Sequence, residues 1–161
     1  MGKIIGLTSG CFDLIHTGHI RYLERCKDLC DKLIVGVDSN FLVSSTKGPE
    51  RPIIDEKERL EMINGLDCVD SGFIVQEMDD FNRVVTQFGI NKVFKSERFK
   101  AIDNVHGVTN TDAEMVIVPD VPGLKSTTWI IKKIMSQSKG PKPGPLYDAD
   151  FCSMGPLPDI K

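Results

Sequence analysis

Apolar residues recur with two different periods over the first 37 positions of the chain. Ile4-Ile5-Gly6-Leu7 is a short unbroken run ending in Thr8-Ser9-Gly10, which predicts a buried strand followed by a turn. From Gly18 onward Ile20, Leu23, Cys26 and Leu29 or Cys30 return at helical spacing, with Arg21, Glu24, Arg25, Lys27 and Asp28 between them. That is the pattern of an amphipathic helix. Leu33-Ile34-Val35-Gly36-Val37 is apolar throughout, as a parallel strand covered on both faces should be. Together these segments predict one βαβ unit.

Residues 38–52 are rich in Ser, Thr, Lys, Gly and Pro without periodicity, and are expected to form a loop of functional length. Helical spacing of Leu60, Ile63 and Leu66 marks residues 55–66, and further helices are expected over 80–88 and 126–136, with Ser126 or Thr127 capping the last. Strand-like runs cover 69–75, 92–94 and 115–118. Alternating strands and helices predict the α/β class: a Rossmann-like open parallel five-stranded sheet with helices on both faces and right-handed crossovers. The expected domain is 1–137. Beyond it, residues 138–161 carry Lys-Gly-Pro-Lys-Pro-Gly-Pro and Met-Gly-Pro-Leu-Pro, which block helix and sheet and predict an extended or disordered tail. Phe151, Met154 and Leu157 are its candidate docking anchors.

At 161 residues there is room for one domain. A hydrophobic share of 40% and a charged share of 27% are those of a globular protein, and neither disorder nor a membrane span is indicated. The longest apolar runs are strand-sized and no signal peptide opens the chain, so a cytoplasmic location is expected. A net charge of −3 gives no basic footprint for nucleic acid. Cys11, Cys26, Cys30, Cys68 and Cys152 are scattered and odd in number, which suits reduced thiols better than a disulfide framework.

Chemistry concentrates in Gly10-Cys11-Phe12-Asp13-Leu14-Ile15-His16-Thr17-Gly18-His19, at the carboxyl end of the first strand where the helix begins. Ligands of open α/β sheets bind at such ends, against free N–H groups and the positive end of the helix dipole. Gly10 and Gly18 present no side chain to keep a phosphate from the backbone, and His16 and His19, three apart, share a helix face. As hydrogen-bond donors the two imidazoles suit the charge that gathers on a pentavalent phosphorus and a departing pyrophosphate. A structural role, or a zinc site shared with Cys26 and Cys30, are the alternatives for the pair, although Cys-x3-Cys lacks the spacing of zinc knuckles.

The combination of an apolar strand, a Gly-Cys-Phe-Asp turn and His-x-Gly-His resembles the cytidylyltransferase-like family of nucleotidyltransferases. Leu33 to Val37, Lys47-Gly48 with Arg51-Pro52, Glu58-Arg59, and Ser126-Thr127-Thr128 before Ile130-Ile131-Lys132-Lys133-Ile134 extend the resemblance over most of residues 3–136. It implies that Gly10, Cys11, Phe12 and Gly18 meet the nucleotide through backbone, that Asp13 orients the first histidine or its loop, and that His16 and His19 contact the triphosphate. Lys47 would add a point charge to the phosphates, unless it is a solvated loop lysine. Ser126, Thr127 and Thr128 would hold the β- and γ-phosphates. Asp38, Arg51, Arg59 and Glu97 fall on the substrate side, with the two arginines either on the substrate phosphate or paired with Glu58, Asp55 or Glu56. Mg²⁺ is expected with the triphosphate rather than in a protein cage, and a homodimer is expected from the same resemblance.

Lys47 to Pro52 and Ser126 to Ile134 look most like the adenylyltransferase domain of the bifunctional heptose enzymes, which implies ATP and a heptose 1-phosphate as substrates. Glycerol-3-phosphate cytidylyltransferase, with CTP and a polyol phosphate, is the close rival. A catalytically silent nucleotide-binding module of the same fold is the alternative from another class. Two segments depart from the relatives: Lys95-Ser96-Glu97-Arg98-Phe99 replaces a Lys-Gly-Gly-Asp-Tyr type segment, and Pro122-Gly123-Leu124-Lys125-Ser126 has one residue more than usual before its serine. Lys125 and His106 are candidates for an unusual acceptor pocket or for plain surface positions.

Overall fold

The computed structural model describes residues 2–102, 105, 107–109 and 111–138. His106, Cys152 and the tail anchors Phe151, Met154 and Leu157 lie outside the described residues. By contacts the chain divides into two compact units, Met1–Thr127 and Thr128–Lys161. The second contributes nearly all of one described helix, α5 (Thr127–Gln137).

In the first unit five strands alternate with helices: β1 (Ile5–Gly10), α1 (Thr17–Lys27), β2 (Lys32–Asp38), α2 (Asn40–Lys47), α3 (Glu56–Asn64), β3 (Ser71–Val75), α4 (Asp79–Phe88), β4 (Lys92–Ser96) and β5 (Glu114–Val118). The strands are parallel and lie in the order β3-β2-β1-β4-β5. This is the expected Rossmann-like sheet, and its connections reverse direction between β1 and β4.

Alternation along the strands builds two cores. On β2, Leu33, Val35 and Val37 face a cluster with Leu23 and Cys26 of α1 and Ile63 of α3, while Ile34 faces Phe81 and Val85 of α4. Phe94 and Val93 divide in the same way on β4. Helices therefore cover both faces, as the apolar character of β2 requires.

Two expectations are corrected. Thr8-Ser9-Gly10 is strand rather than turn, because β1 pairs with β2 through Gly10 opposite Val37. Thr8 tolerates complete burial by bonding Phe94 O at 3.1 Å and Tyr22 Oη at 2.9 Å. The expected loop at 38–52 contains the eight-residue helix α2. Ser39 caps it by accepting from the Leu42 N–H at 3.3 Å, and Gly48 ends it at φ 99°. Its only buried residue is Val43, and Phe41 is exposed, so no apolar stripe announces the helix.

Candidate active site

The turn from β1 into α1 is strained. Phe12 and Leu14 adopt φ of 48° and 49°, in the left-handed region that ordinary side chains avoid. Such a conformation persists only where its surroundings over-determine it, and three contacts do so here. Arg59 Nη1 donates to Cys11 O at 2.5 Å, Thr127 Oγ1 donates to Asp13 O at 2.8 Å, and the Phe12 ring, 4% exposed, meets His19 edge-on at 5.4 Å.

His16 is the N-cap of α1, with its Nδ1 accepting the Gly18 N–H at 3.1 Å. That bond leaves the proton of the neutral ring on Nε2. The His19 ring stacks on it with centroids 3.8 Å apart and planes 22° off parallel. Burial pushes both imidazoles below their ordinary values; for His19 the charges of His16 and Lys47 add to burial against the opposing pull of Asp13, and the result is about 3. The pair is thus neutral near pH 7 and offers N–H donors rather than charge. Among the described residues the buried His19 Nδ1 has no hydrogen-bond partner, which leaves a polar atom able to take one. Gly18 belongs to the same device, since a Cβ there would lie 2.9 Å from Cε1 and Nδ1 of His16.

Asp13 and Arg59 are both engaged by other parts of the chain. The Asp13 carboxylate accepts from Arg51 Nε at 2.7 Å and from the N–H groups of Ile53 and Ile54 at 2.9 and 3.0 Å. It thereby anchors the segment after α2. Burial works to raise its pKa, but these donors outweigh burial and hold it below the ordinary value. Arg59 is fully buried on α3 and donates to the carbonyls of Cys11, Asp38 and Ile54 and to Asn40 Oδ1. It ties the carboxyl ends of β1 and β2 together, and among the described residues it pairs with none of Glu58, Asp55 or Glu56. Arg51 does pair with an acid, but with Asp13, and its Nη2 is buried without a partner.

The other candidates divide by position. Lys47 ends α2 with an exposed side chain, near enough for its charge to act on His19 and Asp38. Asp38 ends β2, where burial pushes its carboxyl up against the pull of Lys47, Lys95, Arg59 and Arg98. Of the hydroxyl trio, Ser126 is exposed, Thr127 is buried and engaged with Asp13 O, and Thr128 begins the second unit. Lys125 brings its carbonyl oxygen to 3.7 Å of a Cβ built on Gly18.

Glu97 is exposed in a single 3-10 turn (Glu97–Phe99). Two residues before it, Lys95 is 7% exposed among the strand ends. Its burial there makes Lys95 a candidate that the sequence did not mark. The available signal was a lone cation closing the apolar run of β4 at the edge where such sheets bind ligands.

Among the described residues no group of three or more His, Cys, Asp or Glu side chains is placed to hold a metal ion. Burial also pushes the Cys26 thiol up to about 12, far from the thiolate that zinc needs. The Asp13 oxygens are already engaged. A divalent cation therefore fits this donor set only as an ion carried on triphosphate oxygens.

A strained glycine-led turn, a neutral histidine pair at a helix N-terminus and a sheet edge at a topological switch define a phosphate-handling α/β enzyme. Residues 7–132 match the family model described as cytidylyltransferase-like. The chain belongs to the cytidylyltransferase-like family, and its class is that of the nucleotidyltransferases. The bifunctional protein HldE of Trichlorobacter lovleyi is 36% identical over 139 residues, which are 84% of this chain and 28% of that protein. That of Granulibacter bethesdensis is 37% identical over 136 residues, 83% of this chain and again 28% of the relative. The chain thus spans little more than a quarter of these proteins' length. The crystal structure of the lipopolysaccharide core biosynthesis protein from Thermoplasma volcanium GSS1 superposes with a TM-score of 0.59 at 26% identity, covering 74% of this chain and 99% of that one.

Proposed function

We propose that the chain transfers an adenylyl group from ATP to a heptose 1-phosphate, giving an ADP-sugar and pyrophosphate. An acceptor phosphate oxygen attacks the α-phosphorus of ATP, the new P–O bond forms, and the bond from that phosphorus to the bridging oxygen of pyrophosphate breaks. The observation that carries this reading is the stacked, neutral His16–His19 pair with the buried, partnerless Nδ1 of His19. Pre-oriented neutral donors stabilise charge developing on phosphoryl oxygens without a covalent intermediate. The relatives named HldE and the lipopolysaccharide core biosynthesis protein support a sugar phosphate as acceptor.

His16, through Nε2–H, and His19 bond the triphosphate in this account. Lys47 supplies the positive charge that the neutral histidines lack. Gly10, Cys11, Phe12 and Gly18 let the nucleotide approach the backbone, and Ser126 offers a hydroxyl to the β- and γ-phosphates. Arg51, Asp38 and Glu97 stand on the acceptor side. Mg²⁺ would enter with the triphosphate and neutralise part of its charge.

CTP with glycerol 3-phosphate is the second reading, supported by the shared first site. Crossing ATP and CTP with heptose 1-phosphates, glycerol 3-phosphate and other phosphorylated alcohols, with pyrophosphate as the readout, separates the two. Turnover confined to ATP and a heptose 1-phosphate is expected, and turnover confined to CTP reassigns the nucleotide. Nucleotide binding without pyrophosphate release across the panel favours the silent module. A homodimer working in the cytoplasm completes the proposal, and among the described residues no helix is long and apolar enough to cross a membrane.

A further inference from the structure

The strand order places a crevice between β1 and β4, where the chain's connections leave the sheet in opposite directions. Ser9 and Lys95 flank it. Side chains alternate along a strand, so Ser9 shares a face with Leu7, and Lys95 with Val93. That face is the one packed by α4. The Lys95 ammonium lies 4.8 Å from the Phe81 ring of α4 and 5.2 Å from the Phe99 ring.

Lys95 is 7% exposed, yet among the described residues its one hydrogen bond is a 3.5 Å contact with Ser9 Oγ. Among the described residues no carboxylate lies within ion-pair distance of it, although Asp38 is near enough for its charge to be felt. An ammonium carries three donors, and burying them unmatched is costly. Burial pushes its pKa down to about 8 in spite of Asp38, with Arg98 acting in the same direction as burial. A methionine would fill the same space between two phenyl rings without that penalty. An anion entering the crevice would match the donors that Ser9 Oγ leaves unfilled.

We propose that Lys95 binds the phosphate of the acceptor in the crevice between β1 and β4, and so selects a phosphorylated acceptor. The inference rests on the nucleotidyl-transfer reading above. It follows from geometry that displacement at phosphorus runs in line, with the attacking and leaving oxygens on opposite sides. Leu23 and Cys26 of α1 pack on one face of the sheet, and Phe81 of α4 packs on the other, beneath Lys95. The histidine pair on α1 serves the triphosphate, and the cation on the α4 side serves the incoming phosphate. Asp38, at the end of β2 beside Lys95, is placed to accept from a substrate hydroxyl.

Steady-state kinetics on the whole chain with Lys95→Met and Lys95→Arg tests this. Lys95→Met is expected to raise the acceptor KM at least about tenfold while the ATP KM stays within about twofold, the split that loss of acceptor binding produces. Lys95→Arg restores part of the acceptor affinity. An unchanged acceptor KM, or an ATP KM that rises equally, overturns the assignment. Should the wild type release no pyrophosphate with any pair, the functional reading falls, and calorimetric titration with inorganic phosphate judges Lys95 on its own. Binding at least about tenfold weaker in Lys95→Met supports the site. Equal binding by both proteins, or none by the wild type, overturns it.

Discussion

The rings of His16 and His19 stack at 3.8 Å, and the His16 ring lies where a side chain on Gly18 would meet it at 2.9 Å. His16 faces two demands at once. Its Nδ1 caps the helix through the Gly18 N–H, and its Nε2 is left to donate outward. The cap therefore leaves the ring proton on Nε2, so helix capping and the proposed phosphate contact use opposite nitrogens of one ring.

Gly18→Ala tests that coupling. The added Cβ would meet the His16 ring at 2.9 Å and turn it away from its cap. Pyrophosphate release is expected to fall at least about tenfold, the scale of misplacing a catalytic donor. The melting temperature should change little, since alanine is the better helix former. Full activity in this variant would contradict the placement of His16.

The neutrality of His19 has a consequence for stability. Its pKa is about 3 in the folded chain against an ordinary value of 6.5. Between these values the unfolded chain binds the extra proton, so stability falls as pH drops through the window. The slope is about 1.4 kcal/mol per pH unit. Urea melts at pH 7 and pH 5 should show the wild type losing about 2 kcal/mol more than His19→Gln. Equal losses would show that His19 titrates normally.

Arg59→Met separates a buried tie from a phosphate ligand. Removal of the guanidinium leaves the carbonyls of Cys11, Asp38 and Ile54 without this donor. Each unsatisfied buried acceptor costs about 1–3 kcal/mol, so a loss of about 3 kcal/mol or more in chemical denaturation is expected. A variant of wild-type stability whose only defect is a raised acceptor KM would return Arg59 to the substrate.

The sheet was legible because its strands carry short apolar runs, and β2, buried along its length, reads as a continuous one. α2 was not, because its helix rests on the Ser39 cap and on Val43 rather than on a repeating stripe. The histidine pair was legible because both residues fall within one turn of a helix. For Arg59 a sequence shows a charge near a motif but not the three carbonyls that enclose it. Lys95 was passed over for Glu97, since strand pairing of β4 through Ser96, and with it the burial of Lys95, is a property of the assembled sheet.

Transfer of label from the α-phosphate of ATP tests the central claim most directly. With a heptose 1-phosphate as acceptor, label in the α-position is expected in the sugar product and label in the γ-position in pyrophosphate. His16→Ala should slow both at least about a hundredfold, as removal of a charge-stabilising donor does. Label passing from the γ-position to the sugar, or full transfer by His16→Ala, would contradict the account.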